Sequence, residues 1–294
     1  MKKQKTYEPA ADRLAVIEKI KEYERLGGEH FFTDVEPDPP SKPLRPEDVD
    51  YLRRKTSSKV KTAIAVLIEK IAKSAIKKKF KITVEGAENI AEVEGGAIIT
   101  SNHFAVNESI AVKLAVDSAK KKRRFFKVIR EGNFFIPGFF GFLLKNCRTL
   151  PLSSDIHTMK LFDEAVTKIL RDGDFILVYP EQAMWWKYTK PREYKIGAYH
   201  YAAKNGVPLV PCFVTLKKLD TVGKNGFHDA SYTVHVMKPY YPNPEKSVRE
   251  NARDMLEYNK RVCREKYEEI YGRTLTYGDY EPELLPEKYD TATV

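Results

Sequence analysis

The sequence predicts an α/β fold in which a largely parallel sheet is flanked by helices. From residue 81 onward, short β-rich runs alternate with helical stretches, which is typical of parallel sheets. Hydrophobic residues make up 42% and aromatic residues 12% of the 294-residue chain, enough to bury a sizeable core and to exclude a disordered chain. A basic amphipathic helix is predicted N-terminal to the sheet.

Residues 1–50 are predicted to form an N-terminal helix followed by a proline-rich strap. The helix is indicated by apolar residues at helical spacing that stop before Gly27 and Gly28, namely Leu14, Ile17, Ile20 and Tyr23. Five prolines then exclude regular hydrogen-bonded structure, at positions 37, 39, 40, 43 and 46. We expect this segment to lie across a domain surface.

Residues 51–80 are predicted to form the basic amphipathic helix. Residues 51–81 contain eleven Lys or Arg and one acid, Glu69. Nine apolar residues between positions 60 and 76 recur every three or four residues and form one stripe. The stripe fits a helix packed on the core with a solvated basic face, and it fits equally a helix that lies on an anionic membrane.

Residues 81–244 are predicted to form the α/β domain with seven strands. The strands are expected at 81–85, 96–101, 124–129, 148–152, 175–180, 207–215 and 231–239. Helices are expected between them at 108–120, 136–146, 156–171 and 195–205. Residues 245–294 are predicted to form a closing charged helix and a tail.

Charge and cysteine content narrow the choice of partner and compartment. The formal net charge of +10 indicates a polyanionic partner, which is nucleic acid, an anionic membrane surface or a phosphorylated substrate. Three distant cysteines without a CxxC pair predict neither a disulfide framework nor a cysteine zinc site, and they favour a reducing compartment. The six histidines have no ligand-like spacing, so no metal is predicted.

No membrane span and no signal peptide are predicted. The N-terminus is polar from its first residues and lacks an apolar segment of the signal-peptide kind. The longest stretches without a charged residue are 13 residues long, whereas a spanning helix needs about 20.

His103 and Glu108 form the first candidate site. They follow the predicted strand 96–101, and sites in open α/β sheets form at the carboxyl ends of strands. His103 can act as a general base, and a carboxylate on its other ring nitrogen would orient it and stabilise the imidazolium. On one continuous helix the two would lie about 140° apart, so His103 must lie in the turn and Glu108 in the first helical turn. The alternative is a structural histidine whose hydrogen bonds are satisfied, beside an acid that stabilises the helix N-terminus, with Asn107 as N-cap.

Two further segments place charged residues near strand ends. Glu181 follows the predicted strand 175–180 and is a second acid at a carboxyl end. Lys195 begins the predicted helix 195–205, and Gly197 allows that helix to pack closely. The strand that contains Val207–Pro211 holds two prolines and is interpreted as architectural.

Short motifs follow one another along residues 81–215: NHxxxxE (102–108), FLLKNCRTLPL (142–152), YPE (179–181), KIGA (195–198) and VPLVP (207–211). Their order and spacing resemble those of the glycerophosphate and lysophospholipid acyltransferases, whose hallmarks are NHxxxxD, a block ending in arginine, FPEGTRS and VPxxP. The resemblance implies that His103 is the catalytic base and Glu108 orients it. It also implies that Asn102 and Glu181 help to bind substrate, and an architectural role is the alternative for Glu181.

The sequence departs from the family pattern in each of the first three blocks. Glu108 replaces the usual aspartate, with one more methylene and the same charge. Ser154 aligns with the arginine that contacts the acceptor phosphate in the family, and Gln182–Met184 replaces Gly-Thr-Arg. The candidate contacts for an anionic group are then Arg148, Lys145 and Lys195.

The resemblance implies an O-acyltransferase that moves a fatty acyl group from acyl-CoA or acyl-carrier protein to a hydroxyl of a lysophospholipid or other lipid-like acceptor, without a further cofactor. The altered third block motivates an alternative, a catalytically degenerate protein that binds membrane or lipid. Nucleic acid is disfavoured as a partner because the apolar stripe of residues 51–81 needs burial or a membrane. We expect the protein on the cytoplasmic, inner face of a membrane, held peripherally by the helix at 51–80.

Overall fold

The computed structural model describes residues 10–37, 42–120 and 123–286. The predictions for residues 1–9, for prolines 39 and 40, and for the tail from 287 lie outside the described residues. Helix α1 (Ala11–Leu26) ends at Gly27, as predicted, where a φ of 65° favours glycine. The strap runs from Gly28 to Asp48 and begins and ends with short 3₁₀ turns, at Gly28–Phe32 and Pro46–Asp48. Its other described residues, 33–37 and 42–45, form no helix or strand.

Seven strands form one sheet, and this confirms the predicted α/β class. In chain order they are β1 (Thr83–Glu85), β2 (Ala97–Thr100), β3 (Phe125–Ile129), β4 (Thr149–Pro151), β5 (Phe175–Val178), β6 (Leu209–Val222) and β7 (His228–Val236). Their order across the sheet is β1-β7-β6-β2-β5-β3-β4, and only the β6–β7 pair is antiparallel. Strand β6 extends beyond the predicted end at residue 215 because its polar second half pairs with β7 as a ribbon outside the core.

Helices cover both faces of the sheet, and each predicted helix is present. They are α2 (Thr56–Lys79), α3 (Ala87–Ala91), α4 (Glu108–Ser118), α5 (Glu131–Phe134), α6 (Gly138–Asn146), α7 (Ile156–Arg171), α8 (Gly197–Lys204) and α9 (Val248–Tyr271). One core lies between α4 and the sheet face that carries Ile99 and Leu177. The other lies between helices α7 to α9 and the face that carries Ile98 and Ile176. Neighbouring residues of a strand therefore serve opposite cores.

Because β2, β3, β4 and β5 are parallel, their carboxyl ends meet at one edge, here called the carboxyl-terminal edge. The opposite side is the amino-terminal edge. The strap crosses the carboxyl-terminal edge, since the Leu44 N–H donates to the Glu131 carboxylate at 2.8 Å. The Trp185 indole likewise donates to the Thr33 carbonyl at 2.9 Å. The N-terminal segment is therefore bonded to the loops that follow the central strands.

Helix α2 turns most of its apolar stripe to solvent. Thr62, Ala65 and Glu69 face the domain and are buried, and the Lys127 ammonium donates to Glu69 at 2.6 Å. Exposed apolar residues form a row along the outer face, namely Val60, Ile64, Leu67 and Ile71, which are 47–69% exposed. The structure thus contradicts the interpretation in which this stripe packs on the core. Within the described ranges, no helix combines the length and apolar character needed to cross a membrane.

Candidate active site

His103 and Glu108 meet as the motif predicts. Helix α4 begins at Glu108, and His103 lies in the preceding turn. The His103 Nδ1 atom contacts Glu108 Oε1, while Oε2 accepts the N–H groups of Phe104 and Ala105 at 2.7 and 2.6 Å. Glu108 is completely buried, whereas the His103 side chain is 22% exposed. The carboxylate is therefore fixed by the backbone and one face of the imidazole remains accessible. Asn107 occupies the N-cap position but makes no side-chain capping bond.

Tyr179 supports the imidazole from the neighbouring strand. Its ring stacks on that of His103 with centroids 4.1 Å apart and an angle of 10° between the planes. Burial, together with the negative charge of Glu108, raises the pKa of the Tyr179 hydroxyl well above its usual value. Tyr179 is thus a neutral phenol at physiological pH, and its ring helps to fix the orientation of the His103 imidazole.

Glu181 is held in a buried network rather than exposed to a ligand. Its Oε2 accepts the His103 N–H and the Arg192 guanidinium, each at 2.9 Å, and its Oε1 accepts the Arg192 N–H at 3.0 Å. Arg192 also donates to the Phe31 carbonyl of the strap at 2.7 Å and to the carbonyl of Ala183. Glu181 therefore joins the His103 turn, its own loop and the strap. These contacts fit the architectural alternative for Glu181, and its contact with substrate stays a prediction.

The residue after Glu181 keeps an unusual backbone shape. Gln182 has a φ of 61°, a conformation that favours glycine, and the resembled family has glycine at this position. Its N–H donates to the Tyr179 carbonyl at 3.1 Å, which closes a tight turn. The turn geometry thus persists although the side chains of the third block differ.

Asn102 is likewise engaged with backbone. Its side-chain amide donates to the Val214 carbonyl at 3.0 Å and accepts the Val214 N–H at 2.8 Å. This pair joins the end of β2 to the adjacent β6 and is buried. Asn102 therefore positions the turn that carries His103, and the structure engages its side chain there instead of leaving it open to substrate.

The three predicted anion contacts are not brought together. Lys195 lies near the site, because its N–H donates to the Pro180 carbonyl at 2.9 Å, and its ammonium pairs with Glu29 of the strap at 2.6 Å. Arg148 precedes β4, and the strand registers place it level with Ile98 of β2, five positions before His103 and toward the amino-terminal edge. Burial lowers the pKa of Arg148, and the nearest charges include Glu69 and Arg124.

Lys145 belongs to a different cleft. It lies in the last turn of α6, and its ammonium is 5.2 Å from the centre of the Phe134 ring. It lines a cleft of about 450 Å³ between residues 47–61 and 134–151, and among the described residues that line this cleft His103 is absent. The motif spacing could not show that Lys145, Arg148 and Lys195 lie apart, because spacing does not determine at which end of the strands a residue lies.

Lys187 is a site residue that the sequence analysis missed. Its N–H donates to the Phe104 carbonyl at 2.9 Å, and the Trp185 N–H donates to the His103 carbonyl at 3.0 Å, so the two loops are joined by backbone bonds. The Lys187 ammonium contacts the Tyr232 hydroxyl. Burial lowers the pKa of Lys187 to about 8, although the charge of Glu108 opposes this shift. Neither spacing nor composition marks this lysine in a chain that is rich in lysine.

The fold and the site together define an α/β domain with a histidine–carboxylate pair at the carboxyl-terminal edge. Residues 81–215 match the family model described as Acyltransferase. Its structure is similar to the crystal structure of the 1-acyl-sn-glycerophosphate (LPA) acyltransferase PlsC from Thermotoga maritima. That similarity has a TM-score of 0.51 and 21% identity over 77% of this chain and 87% of the other. A search of curated proteins finds no significant match.

Proposed function

We propose that the protein is an O-acyltransferase that moves a fatty acyl group from acyl-CoA or acyl-carrier protein to a hydroxyl of a lipid-like acceptor of the lysophospholipid type. The observation that carries the proposal is the His103–Glu108 pair, a partly exposed imidazole whose Nδ1 is bound to a buried carboxylate. The family of residues 81–215 supports it. The name of the similar solved protein, an acyltransferase for 1-acyl-sn-glycerophosphate, supports a glycerolipid with a free hydroxyl as the acceptor.

In the proposed reaction His103 Nε2 takes the proton of the acceptor hydroxyl while the hydroxyl oxygen attacks the thioester carbonyl carbon. The C–S bond then breaks, the thiol sulfur takes the proton back from the imidazolium, and ester and free thiol leave. Glu108 stabilises the imidazolium and fixes its tautomer. Direct transfer is favoured over a cysteine-bound intermediate because all three cysteines are buried, and burial raises the pKa of Cys147 to about 11 and that of Cys263 to about 12.

The test is thiol release from long-chain acyl-CoA and from acyl-carrier protein thioester with a panel of lysophospholipids, monoacylglycerols, glycolipids and polyols. We expect acceptor-dependent release that falls by about 10²–10⁴-fold in His103→Ala. His200→Ala, an exposed histidine on α8, is the matched control and should retain full activity. A loss below about tenfold in His103→Ala would exclude this base mechanism. Lipid binding without turnover, unchanged in His103→Ala, would favour the degenerate lipid-binding protein.

We further propose that α2 holds the protein on the cytoplasmic, inner face of an anionic membrane. Its exposed row of Val60, Ile64, Leu67 and Ile71 presents apolar side chains that a lipid surface would bury. The lysines of the same segment would add about 1 kcal/mol each near an anionic surface. This arrangement would bring the protein to the surface that holds its acceptor.

Vesicle co-sedimentation tests this location. Leu67→Glu should reduce binding to vesicles of phosphatidylcholine and phosphatidylglycerol by about tenfold or more, since it places a charge in the apolar row. Ile270→Glu, at a similarly exposed position on α9, is the control and should bind like the wild type. Equal binding to vesicles of phosphatidylcholine alone would contradict the electrostatic contribution.

A further inference from the structure

Arg130 is a basic residue at the carboxyl-terminal edge that the motifs did not single out. It directly follows β3, in which Lys127 pairs with Leu177 of β5. Continuing this register places Arg130 level with Pro180, and the β2–β5 register places Asn102 at the same level. Because neighbouring strands are about 4.8 Å apart, the backbone of Arg130 lies about 10 Å from that of Asn102. An arginine there can reach a group attached a few bonds from a hydroxyl bound at His103.

The strap places a carboxylate on this arginine. Asp34 Oδ2 is bonded to the Arg130 guanidinium, and their side chains are 23% and 37% exposed. Glu29 of the same strap pairs in the same way with Lys195 at 2.6 Å. Arg130 and Lys195 therefore each have an anionic partner from the N-terminal segment.

A third carboxylate adds to this negative charge. Glu131, next to Arg130, accepts the N–H groups of Leu44 and Ser154 at 2.8 and 3.0 Å and the hydroxyl of Ser153 at 2.9 Å. These hydrogen bonds outweigh its partial burial and lower the pKa of Glu131, so it is ionised at neutral pH. Ser154 thus binds an acid of the protein at the position where the resembled family has an arginine.

Asp34 is held in place by the residues on either side of it. The carbonyl of Thr33 accepts the Trp185 indole N–H at 2.9 Å, and Val35 is 3% exposed and packs in the same cluster as Trp185. The carbonyl of Phe31 accepts the buried Arg192 guanidinium. The carboxylate of Asp34 is therefore part of the fixed edge of the site rather than the end of a loose segment.

We propose that Asp34, assisted by Glu29, makes the site select acceptors without a phosphomonoester next to the reacting hydroxyl. A phosphomonoester carries about −1.5 to −2 charge at pH 7 and would have to approach Arg130 beside Asp34 and Glu131. Like charges this close disfavour each other by about tenfold or more in binding. A hydroxyl on an uncharged glycerol backbone meets no such repulsion. This inference rests on the proposed acyltransferase function and names its acceptor class.

The test compares two acceptors that differ only in the phosphate, 1-oleoylglycerol and 1-oleoyl-lysophosphatidate, in mixed micelles whose surface charge is kept equal with phosphatidylglycerol. We expect wild-type kcat/KM to favour 1-oleoylglycerol. Asp34→Asn should shift the ratio toward lysophosphatidate by about tenfold, and Asp34→Asn combined with Arg130→Gln should reverse that shift. Glu36→Gln removes the same charge from the same strap, but its partner is Arg13 of α1, so it should leave the ratio unchanged.

An unchanged ratio in Asp34→Asn, within about threefold of Glu36→Gln, overturns the inference. A binding measurement separates it from failure of the proposed function. Calorimetric titration with sn-glycerol 3-phosphate needs no turnover, and the double variant Glu29→Gln, Asp34→Asn should bind it about tenfold more tightly than the wild type. Equal affinities overturn the selectivity role, whereas tighter binding without turnover on either acceptor keeps that role and rejects the acyltransferase.

Discussion

The two edges of the parallel strands both carry charged residues, but they use them differently. At the carboxyl-terminal edge, Glu108 and Glu181 are almost completely buried and bind backbone N–H groups of the loops around them. At the amino-terminal edge, Arg124 reaches Asp172 and Asp174 with a side chain that is about half exposed. At the carboxyl-terminal edge, buried carboxylates hold the loops around His103 in place. At the amino-terminal edge, partly exposed ion pairs join the beginnings of the strands.

The difference shows what a carboxylate must do to support a base. Glu108 makes its bonds to the backbone with one oxygen and leaves the other for His103, so its charge and position are fixed at once. An exposed ion pair gains little, because water and salt screen it and two side chains lose freedom. The comparison therefore predicts that equal changes of charge have unequal effects at the two edges.

Glu108→Gln should give the largest effect. Removing the charge that stabilises the imidazolium, while keeping the shape, should lower kcat by about 10²–10⁴-fold. Asp172→Asn at the amino-terminal edge is the matched control and should keep wild-type activity in the thiol-release assay. Glu108→Asp restores the charge but shortens the side chain, so we expect an intermediate rate. If kcat of Glu108→Gln falls by less than about threefold, charge changes at the two edges do not differ in their effect on activity, and the prediction is wrong.

Glu181→Gln should mainly affect stability. It leaves the buried Arg192 guanidinium without its carboxylate, which typically costs about 3–5 kcal/mol in the free energy of unfolding. Urea unfolding followed by circular dichroism measures this cost. Asp172→Asn should remain within about 0.5 kcal/mol of the wild type, as expected of a partly exposed pair. Similar losses in both variants would mean that burial does not distinguish the two sets of ion pairs.

Arg148→Gln should have the smallest effect. Arg148 lies toward the amino-terminal edge, and its burial already disfavours the charged form, so removing the charge should leave stability within about 1 kcal/mol. Its kcat/KM should stay within about threefold of the wild type with either charged or neutral acceptors. A tenfold or larger rise in KM for lysophosphatidate alone would restore the acceptor contact that the motif alignment predicted.

Much of the fold could be predicted because its signals are local. Each predicted strand is present, since apolar runs between turn residues mark buried strands. The predicted end of β6 at residue 215 was wrong. The last residues of the strand are mostly exposed and polar, and their own sequence does not indicate that they pair with β7. The stripe on α2 identified the helix, but periodicity could not tell a buried face from an exposed one.

The site could be predicted where one short segment contains it and not where distant segments meet. His103 and Glu108 are five positions apart, and helix geometry alone determines how they can meet. Arg192 and Asp34 reach the site through loops and the strap, so no spacing reveals them. For Arg148 the sequence misleads in the opposite way. It belongs to the motif FLLKNCRTLPL, but it lies before β4, whereas His103 lies after β2.

The bond between Arg192 and the Phe31 carbonyl also bears on the order in which the chain is made. The two residues are 161 positions apart, so the strap leaves the ribosome long before its partner exists. The strap can dock only after that interval, and closing so long a loop is entropically costly. A shortened chain that begins at residue 81 would keep every residue of the family domain but lose a carbonyl that a buried guanidinium requires. The N-terminal segment therefore docks late, on a loop that follows it in sequence by more than half the chain.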